Sequence, residues 1–383
     1  GIRRREWNHI KNATRILDFK NEFPAWSPQA GADPVFFLNQ IHSVIEKNKM
    51  VPYKIRVSVV EAIITLRVVC TAGLYLCNSI FFSATDFFAA KVFAADNSSA
   101  KATVSKVQIE SSVITIEFKN GMPAIGKAEI LSWVRRSARA VSIYYKMMPV
   151  KRLLLKIDTV DGDDIGFSTT GYENGNVEIE VPIGRDITLA SLSQDWVLTH
   201  EMVHLAFPLV WRKDRWLTEG MATYVEPLAR SKIGNIPEAE VWEDLIKNCG
   251  KGQPRDQSET LPSARRIDRI YWGGATFCLI ADIEIRKRTR NRMGLQDALA
   301  AICNAGKNIE SDTGPVDALA IGDKSVACSV LVPLYERFSK SQSAILPDLD
   351  AIFQSLGVSR MGRSVRFNDS ASLAETRKAI SSK

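Results

Sequence analysis

The chain has 383 residues, of which 45% are hydrophobic and 24% charged. These proportions are typical of a globular protein with a real core and exclude a disordered chain. The net charge of +7 and the pI near 9.0 would suit a nucleic-acid partner. Residues 1–67, however, carry 11 Lys and Arg against 6 Asp and Glu, so the rest of the chain is nearly neutral and nucleic acid is not expected as a partner.

Residues 1–67 form the first predicted region, a basic and weakly ordered N-terminal segment. Its first 49 residues show no strong periodicity and contain Pro24, Pro28 and Pro34. The sequence indicates no function for this segment.

Residues 68–95 form the second predicted region, a hydrophobic signal or membrane-anchor segment. Residues 68–85 contain no charged side chain, follow a basic flank, and precede a small-residue site that ends at Ala94. These features predict a secretory signal cleaved after Ala94 or, if uncleaved, a membrane anchor. Either form would place the following domain outside the cytoplasm, in the periplasm or the extracellular space. A buried helix of a soluble domain is the alternative, because Asn78 and several Ser and Thr dilute the apolar run.

A small mixed sheet is predicted after the polar linker that precedes residue 103. Apolar and polar side chains alternate in five short runs, and an amphipathic helix is predicted over residues 128–147. A hairpin turn is predicted at Glu173-Asn174-Gly175. The five predicted strands are residues 104–109, 113–118, 152–160, 164–169 and 176–182.

The stretch Trp196-Val-Leu-Thr-His200-Glu201-Met-Val-His204 carries the pattern H-E-x-x-H. In an α-helix His200 and His204 lie one above the other on one face, so both imidazoles reach a single cation. The pattern is typical of two histidine ligands to zinc, with Glu201 as the general base.

The flanks of this motif favour a helix seated in a core. Leu198, Met202 and Leu205 fall on the face opposite the histidines. Ser191 and Gln194 match a capping box, which predicts a helix start just before the motif. A charged, solvated helix face is the alternative, but two of the four histidines in the chain lie in this motif, which favours a metal site.

A zinc site needs at least a third protein ligand, and a catalytic site leaves the fourth position to water. Glu219, 15 residues after His204, is the candidate. Its segment, Trp216-Leu-Thr-Glu219-Gly-Met-Ala-Thr-Tyr224, resembles the W-L-x-E-G-x-A-x-Y segment of the gluzincin zinc metallopeptidases, in particular the alanyl and leucyl aminopeptidases and the glycyl aminopeptidases. The resemblance implies one zinc ion held by His200, His204 and Glu219.

The resemblance continues to about residue 290. Tyr271-Trp-Gly273-Gly274 resembles the Y-x-K-G segment of these peptidases, although Gly273 replaces the usual Lys. It implies that Tyr271 donates to the oxyanion of the tetrahedral intermediate. Thr223 stands where related enzymes have a carboxylate that orients a ligand histidine, and a hydroxyl is a weaker acceptor for that contact.

The segment Thr170-Gly171-Tyr172-Glu173-Asn174 resembles the G-x-M-E-N motif of the aminopeptidases. This resemblance implies that Glu173 binds the free α-amino group of a substrate. The alternative is an ordinary hairpin, because Asn174-Gly175 is a strong hairpin signal by itself.

After Glu219 the chain is predicted to be mostly helical. The helix that carries Glu219 is expected to span residues 214–226 and to end at Pro227. Cys249 and Cys303 would form a disulfide only if the domain is exported. Their spacing in the sequence does not establish that they pair with each other. Six further helices are predicted at residues 238–248, 276–288, 295–305, 329–338, 348–356 and 372–381.

The predicted fold is therefore α+β: a thermolysin-like catalytic domain, with a small mixed sheet followed by zinc-binding helices, and a mostly helical C-terminal lobe. The sheet and zinc helices are assigned to residues 103–235 and the lobe that completes the active site to residues 236–383. The predicted function is that of a zinc-dependent peptidase acting through a metal-activated water on peptide or protein substrates. An aminopeptidase is the narrower hypothesis. The alternatives are a non-catalytic binding module on a zinc-held scaffold, which would not need Glu201, and a gluzincin hydrolase of a non-peptide bond.

Overall fold

The computed structural model describes residues 103–255, 259–340 and 348–382. The predicted basic segment and the predicted signal or anchor at residues 68–95 lie outside these ranges. Within the ranges that are described, no helix is both long enough and apolar enough to cross a membrane.

A five-stranded mixed sheet forms the first part of the described chain, in the order β1-β2-β3-β5-β4. The pairs β1/β2 and β4/β5 are antiparallel, whereas β2/β3 and β3/β5 are parallel. Helix α1 (Lys127–Tyr145) connects the parallel strands β2 and β3. The strands are β1 (Thr103–Ile109), β2 (Ser112–Lys119), β3 (Arg152–Val160), β4 (Thr169–Glu173) and β5 (Asn176–Gly184).

The alternating patterns that predicted strands are those of a half-buried sheet. In β2, Ile114, Ile116 and Phe118 are buried, and the residues between them are partly exposed. The same period-2 burial runs through β3 and β5. Four of the five predicted strands are thereby confirmed.

The predicted strand at residues 164–169 is wrong. Of residues 164–168, only Ile165 makes a bridge, to Ile183, and the strand β4 begins at Thr169. Asn174 and Gly175 both have positive φ, 52° and 79°, as a two-residue hairpin turn requires. This turn pairs Glu173 with Asn176, which sets the register of the two strands. The strand β4 therefore lies directly before the turn, at Thr169–Glu173, and not at residues 164–169.

Eleven α-helices occur within the described ranges, and they dominate the chain after the sheet. Helix α3 carries the two motif histidines, and helix α4 carries Glu219. After α1, the helices are α2 (Leu189–Gln194), α3 (Val197–His204), α4 (Arg215–Lys232), α5 (Glu238–Asn248), α6 (Ile267–Thr289), α7 (Leu295–Asn304), α8 (Pro315–Ser325), α9 (Leu331–Lys340), α10 (Leu349–Leu356) and α11 (Ala374–Ser381).

The predicted capping box before the zinc helix is wrong. Thr188 caps the short helix α2, and its hydroxyl accepts the N–H of Ser191. The motif helix has its own cap, because the Asp195 carboxylate accepts the N–H groups of Val197 and Leu198. A carboxylate at this end also suits the helix dipole.

Helix α4 does not end at Pro227, as the sequence predicted, but continues to Lys232. A proline within a helix costs about 3 kcal/mol. Residues 226–231 are all buried, so the packing of this turn outweighs the loss of one backbone hydrogen bond.

Helix α6 begins at Ile267, nine residues before its predicted start. Gly273 and Gly274 look like helix breakers in the sequence, but they are sites of close packing. A Cβ on Gly274 would lie 1.9 Å from the carbonyl oxygen of Trp216, and Gly274 also contacts Gly220. Helices α4 and α6 therefore cross with their backbones in contact, next to Glu219 and within one turn of Tyr271.

Two features of the C-terminal part, helix α8 and an antiparallel hairpin, were not predicted from the sequence. The hairpin is formed by β6 (Val358–Met361) and β7 (Ser364–Phe367). Cys249 and Cys303 carry free thiols, so the disulfide considered for them is not formed.

Candidate metal centre

Helices α3 and α4 bring three metal-binding side chains together. The Glu219 carboxylate oxygen Oε2 lies 3.4 Å from His200 Nε2 and 3.5 Å from His204 Nε2. All three ligand atoms lie within 4.8 Å of one another. His200 and Glu219 are buried, at 4% and 9% exposure. The link between the two helices thus folds Glu219 back onto the histidine face.

The donor set fits zinc. Tetrahedral ligand atoms about 2.1 Å from zinc lie about 3.4 Å from one another, close to the two distances measured here. Two imidazoles and one carboxylate also form a typical donor set for catalytic zinc, which leaves a fourth position for water or substrate. His200, His204 and Glu219 are therefore the residues that would hold the ion.

The electrostatics of His200 and Glu219 also suit a cation. Burial lowers the pKa of His200, which favours the neutral, metal-binding form. Burial opposes the charged form of His204 too, but the hydrogen bond and the charge of Glu219 raise its pKa. Burial would raise the pKa of Glu219, yet its hydrogen bonds to both histidines lower it far below its usual range. Glu219 is consequently an anion.

Arg215 contacts the centre, although no motif in the sequence predicted this contact. Its Nε donates to Glu219 Oε1 at 2.9 Å, so Oε2 is the oxygen that faces the histidines. The signal in the sequence was the i,i+4 spacing of Arg215 and Glu219 on one helix. That spacing alone does not distinguish a surface ion pair from a contact to a metal ligand.

The Glu201 side chain is held by the sheet. The hydroxyl of Thr170, on strand β4, lies 2.6 Å from Glu201 Oε2 and 3.0 Å from the Glu201 carbonyl oxygen. Thr170 was noted in the sequence only as part of the aminopeptidase-like segment. Its contact depends on where β4 docks on α3, which no local pattern reveals.

Tyr271 lies beside the three ligands, inside helix α6. Its ring stacks on His200, with ring centroids 5.7 Å apart and planes within 9°. Burial, followed by the charge of Glu219 and a hydrogen bond to it, raises the pKa of Tyr271. The phenol therefore stays protonated and able to donate a hydrogen bond.

The departure from the Y-x-K-G pattern has a local cause. A Cβ on Gly273 would lie 2.5 Å from Leu261 Cδ2 and 3.3 Å from the Gly252 carbonyl oxygen. A lysine would displace these neighbours. Gly273 thus allows helix α6 to pack on the segment around Gly252.

Leu198, Met202 and Leu205 are fully buried, as predicted for the face of α3 opposite the histidines. Thr223 does not contact a histidine. Its hydroxyl donates to the Glu219 carbonyl oxygen at 2.7 Å, within the same helix. Thr223 therefore does not make the contact to a ligand histidine that the family pattern suggested.

Glu173 is not brought to the metal-binding cluster. It is exposed at the end of β4 and pairs with Asn176 across the hairpin turn. It lines neither of the two cavities that border the cluster.

Two cavities meet at the cluster, and Tyr271 lines both. The larger has a volume of about 990 Å³ and reaches His200 from the side of helices α4 and α5. The smaller, of about 360 Å³, reaches Glu201, His204 and Glu219 from the side of β4. Both volumes fall within the range of ligand pockets, and the cluster is open to ligands from two sides.

No protein-family model matches the chain, and no curated protein matches it by sequence. Solved structures align with it at low identity. An aminopeptidase N family protein from Idiomarina loihiensis aligns at 12% identity and a TM-score of 0.48, over 67% of this chain and 49% of that one. An M1 zinc metallopeptidase from Deinococcus radiodurans aligns at 17% identity and a TM-score of 0.41, over 65% and 53%. Yeast LTA4 hydrolase aligns at 13% identity and a TM-score of 0.40, over 64% and 40%.

The chain spans about half the length of the first two of these proteins. The functional assignment therefore depends on the residues of the cluster and of the two cavities.

Proposed function

We propose that this protein is a zinc-dependent peptidase of the gluzincin type, with a thermolysin-like catalytic domain. One observation carries the proposal: two imidazole nitrogens and a carboxylate oxygen converge at zinc-ligand spacing beside a second carboxylate, Glu201, that is not among the ligands. A structural zinc site is closed by four protein ligands and has no use for a general base. The combination therefore favours catalysis over a binding module.

The roles of the side chains follow from their positions. Glu201 would take a proton from the attacking water and deliver it to the leaving amine. Thr170 would hold the Glu201 carboxylate toward the cavity, through the hydroxyl contact at 2.6 Å. Tyr271 would donate to the carbonyl oxygen as negative charge develops there. When bound, zinc would supply Lewis-acid polarisation of the scissile carbonyl and would lower the pKa of water.

The neighbouring strand favours a peptide substrate over other substrates. β4 is one of the two edge strands of the sheet in the described chain, and its residues Thr169 and Thr170 line the smaller cavity. An edge strand presents backbone N–H and C=O groups that an extended peptide can pair with. A peptide bound in this way would pass Glu201.

The direct experiment is a hydrolysis screen of the purified protein against aminoacyl substrates and internally quenched peptides, with and without a zinc chelator. We expect cleavage that the chelator abolishes and that zinc restores. Glu201→Gln is the matched control, because it keeps the shape and the metal ligands but removes the base. Cleavage that persists in the chelated protein or in Glu201→Gln would overturn the proposal.

Trimming of amino termini is the narrower hypothesis, and it depends on Glu173. A carboxylate that binds a free α-amine matters only where such an amine is bound. If Glu173 binds such an amine, Glu173→Ala should reduce cleavage of free peptides more than that of matched acetylated peptides. An unchanged ratio would mean that Glu173 belongs only to the hairpin.

We further propose export or membrane anchoring through residues 68–85, on the strength of the uncharged run and its basic flank. N-terminal sequencing of the protein from its native host would distinguish cleavage after Ala94 from retention of an anchor. A cytoplasmic protein that retains residues 68–94 would refute both forms.

A further inference from the structure

Arg215 contacts two parts of the candidate site at once. Its Nε donates to Glu219 Oε1 at 2.9 Å, the carboxylate oxygen that does not face the histidines. The same guanidinium group is also a hydrogen-bond partner of the Tyr271 hydroxyl. Glu219 lies on α4 and Tyr271 on α6. One side chain therefore links a metal-binding residue to the proposed oxyanion donor across two helices.

The three side chains share one wall of the smaller cavity. Arg215, Glu219 and Tyr271 all line it, together with Glu201 and His204. The Arg215 side chain is 38% exposed, so it belongs to the surface of this cavity and not to the core. A guanidinium group is planar and directs its donors along fixed lines. It can therefore hold two acceptors, here a carboxylate and a phenol oxygen, in one relative position.

The place of Arg215 on α4 is unfavourable for the helix itself. Arg215 is the first residue of α4, where the helix dipole disfavours a cation. Its pair with Glu219 also places the cation four residues before the anion, which is the weaker of the two orientations. Local rules of this kind are broken mainly at functional sites. Helix stability is therefore a poor explanation for this arginine, and its contacts at the site are a better one.

Each of the two contacts has a consequence for the site. The contact to Oε1 leaves Glu219 Oε2 as the oxygen directed at His200 and His204, at 3.4 and 3.5 Å. A carboxylate that offers a metal one oxygen leaves a coordination position for water or substrate. The contact to Tyr271 occupies a lone pair of the phenol oxygen and leaves its O–H as the donor.

We infer that Arg215 is a positioning residue for both Glu219 and Tyr271. It fixes which carboxylate oxygen faces the metal position and in which direction the phenol donates. The inference rests on the proposed function and deepens it, because metal affinity and turnover would both depend on an arginine that is not itself a ligand.

The first measurement is zinc affinity, by competition with a chelator of known affinity, in variants whose helix content is checked by circular dichroism. Arg215→Met keeps the apolar stem but removes the guanidinium group. It should raise the zinc Kd about 10- to 100-fold, the usual effect of losing the partner of a metal ligand. Arg215→Lys keeps the charge but lacks the planar fork, so it should recover only part of this loss.

Lys213→Met is the matched control for the loss of a positive charge. Lys213 is exposed two residues before Arg215 and does not line the cavity. Its substitution should leave the zinc Kd and the turnover unchanged.

The second measurement is turnover of a peptide substrate by the zinc-saturated variants. Arg215→Met should lower kcat about 10- to 100-fold with little change in KM, because the arginine acts through its two partners. A double-mutant cycle with Tyr271→Phe tests the contact to the phenol. In the Tyr271→Phe background, Arg215→Met should cost much less in kcat, because no hydroxyl is left to orient.

The outcomes separate this inference from the proposed function. If the wild type binds no zinc, the metal centre and the inference fail together. If it binds zinc but cleaves no peptide, the proposed function alone fails, and the zinc affinities still decide whether Arg215 positions Glu219. An Arg215→Met variant with the wild-type zinc Kd would overturn the inference, as would full recovery of affinity in Arg215→Lys. An equal loss of kcat from Arg215→Met with and without the Tyr271 hydroxyl would overturn it as well.

Discussion

At the scale of single residues, two kinds of candidate site residue occur in this protein. His200, Glu201, His204 and Glu219 could be predicted because their chemistry is encoded in local spacing. Thr170 and Arg215 could not, because a hydroxyl on a strand and an arginine on a helix acquire a role only through the neighbours that the fold gives them. Their contacts at 2.6 Å and 2.9 Å are features of the tertiary structure.

Thr170 should act as a positioning residue for Glu201. Thr170→Val keeps the shape but removes the hydroxyl that contacts the carboxylate. Loss of such a supporting contact typically costs about 10- to 100-fold in activity, and we expect the loss in kcat with little change in KM or zinc content. Thr170→Ser should restore most of the rate. A valine variant with wild-type kcat would show that the contact does not matter to Glu201.

Tyr271 should act on charge that appears only during the reaction. Tyr271→Phe removes one hydrogen-bond donor, for which a loss of about 100- to 1,000-fold in kcat is typical. KM should change little, because the donor acts mainly on the transition state. Steady-state kinetics on the zinc-loaded variant would measure both. Normal zinc binding with wild-type turnover would mean that the donor lies elsewhere.

At the scale of secondary-structure elements, the sequence predicted which segments form helices better than where they begin and end. Helix α5 has the predicted bounds, residues 238–248. Helices α4 and α6 are longer than predicted. Pro227 was interpreted as the end of α4, and the predicted start of α6, at residue 276, came after Gly273 and Gly274. In the folded protein these residues lie where helices are packed closely, and tertiary packing overrides the local preference.

The contact between α4 and α6 should be sensitive to a single methyl group. Gly274→Ala places a Cβ 1.9 Å from the Trp216 carbonyl oxygen, so the two helices must separate. We expect the free energy of unfolding to fall by about 1–3 kcal/mol, the usual cost of overpacking. Gly250→Ala is the control, because nothing lies within 4 Å of its added Cβ. Urea denaturation would measure both, and equal stability of the two variants would contradict the proposed contact.

The buried Glu226–Arg230 pair on α4 should make stability depend on pH. Burial raises the pKa of Glu226 from 4.5 to about 8, although Arg230 opposes the shift. The folded protein then holds a proton that the unfolded chain releases. The contribution of Glu226 to stability is therefore fully present below about pH 4 and is lost as the pH rises through about 8.

Glu226→Gln, which is neutral at every pH, should remove this dependence. The free energy of unfolding of the metal-free variant should rise relative to that of the wild type between about pH 5 and about pH 8. Urea titrations at several pH values would measure the difference in the free energy of unfolding between the variant and the wild type. The contributions of the other titrating groups are similar in both proteins and largely cancel in this difference. A difference independent of pH would contradict the raised pKa.

At the scale of the whole molecule, the mixed sheet followed by helices could be predicted from periodicity, because strands and helices bury side chains with different spacing. The β6–β7 hairpin was missed, because each strand is only four residues long and only β7, Ser364-Val365-Arg366-Phe367, alternates polar and apolar residues. The site could be predicted as a set of ligands, but its two cavities could not. They are formed by loops and helices that are distant in sequence and meet only in the folded chain.

The central claim is that His200, His204 and Glu219 form one zinc site, and the most direct test is the zinc content of the purified protein. Elemental analysis of the wild type, after dialysis against metal-free buffer, should give one zinc per chain. His204→Ala removes one of three protein ligands and should lose most of the metal, while Thr223→Ala, in a helix turn beside the site, should keep it. A wild-type protein without zinc, or a His204→Ala variant with one zinc per chain, would contradict the account.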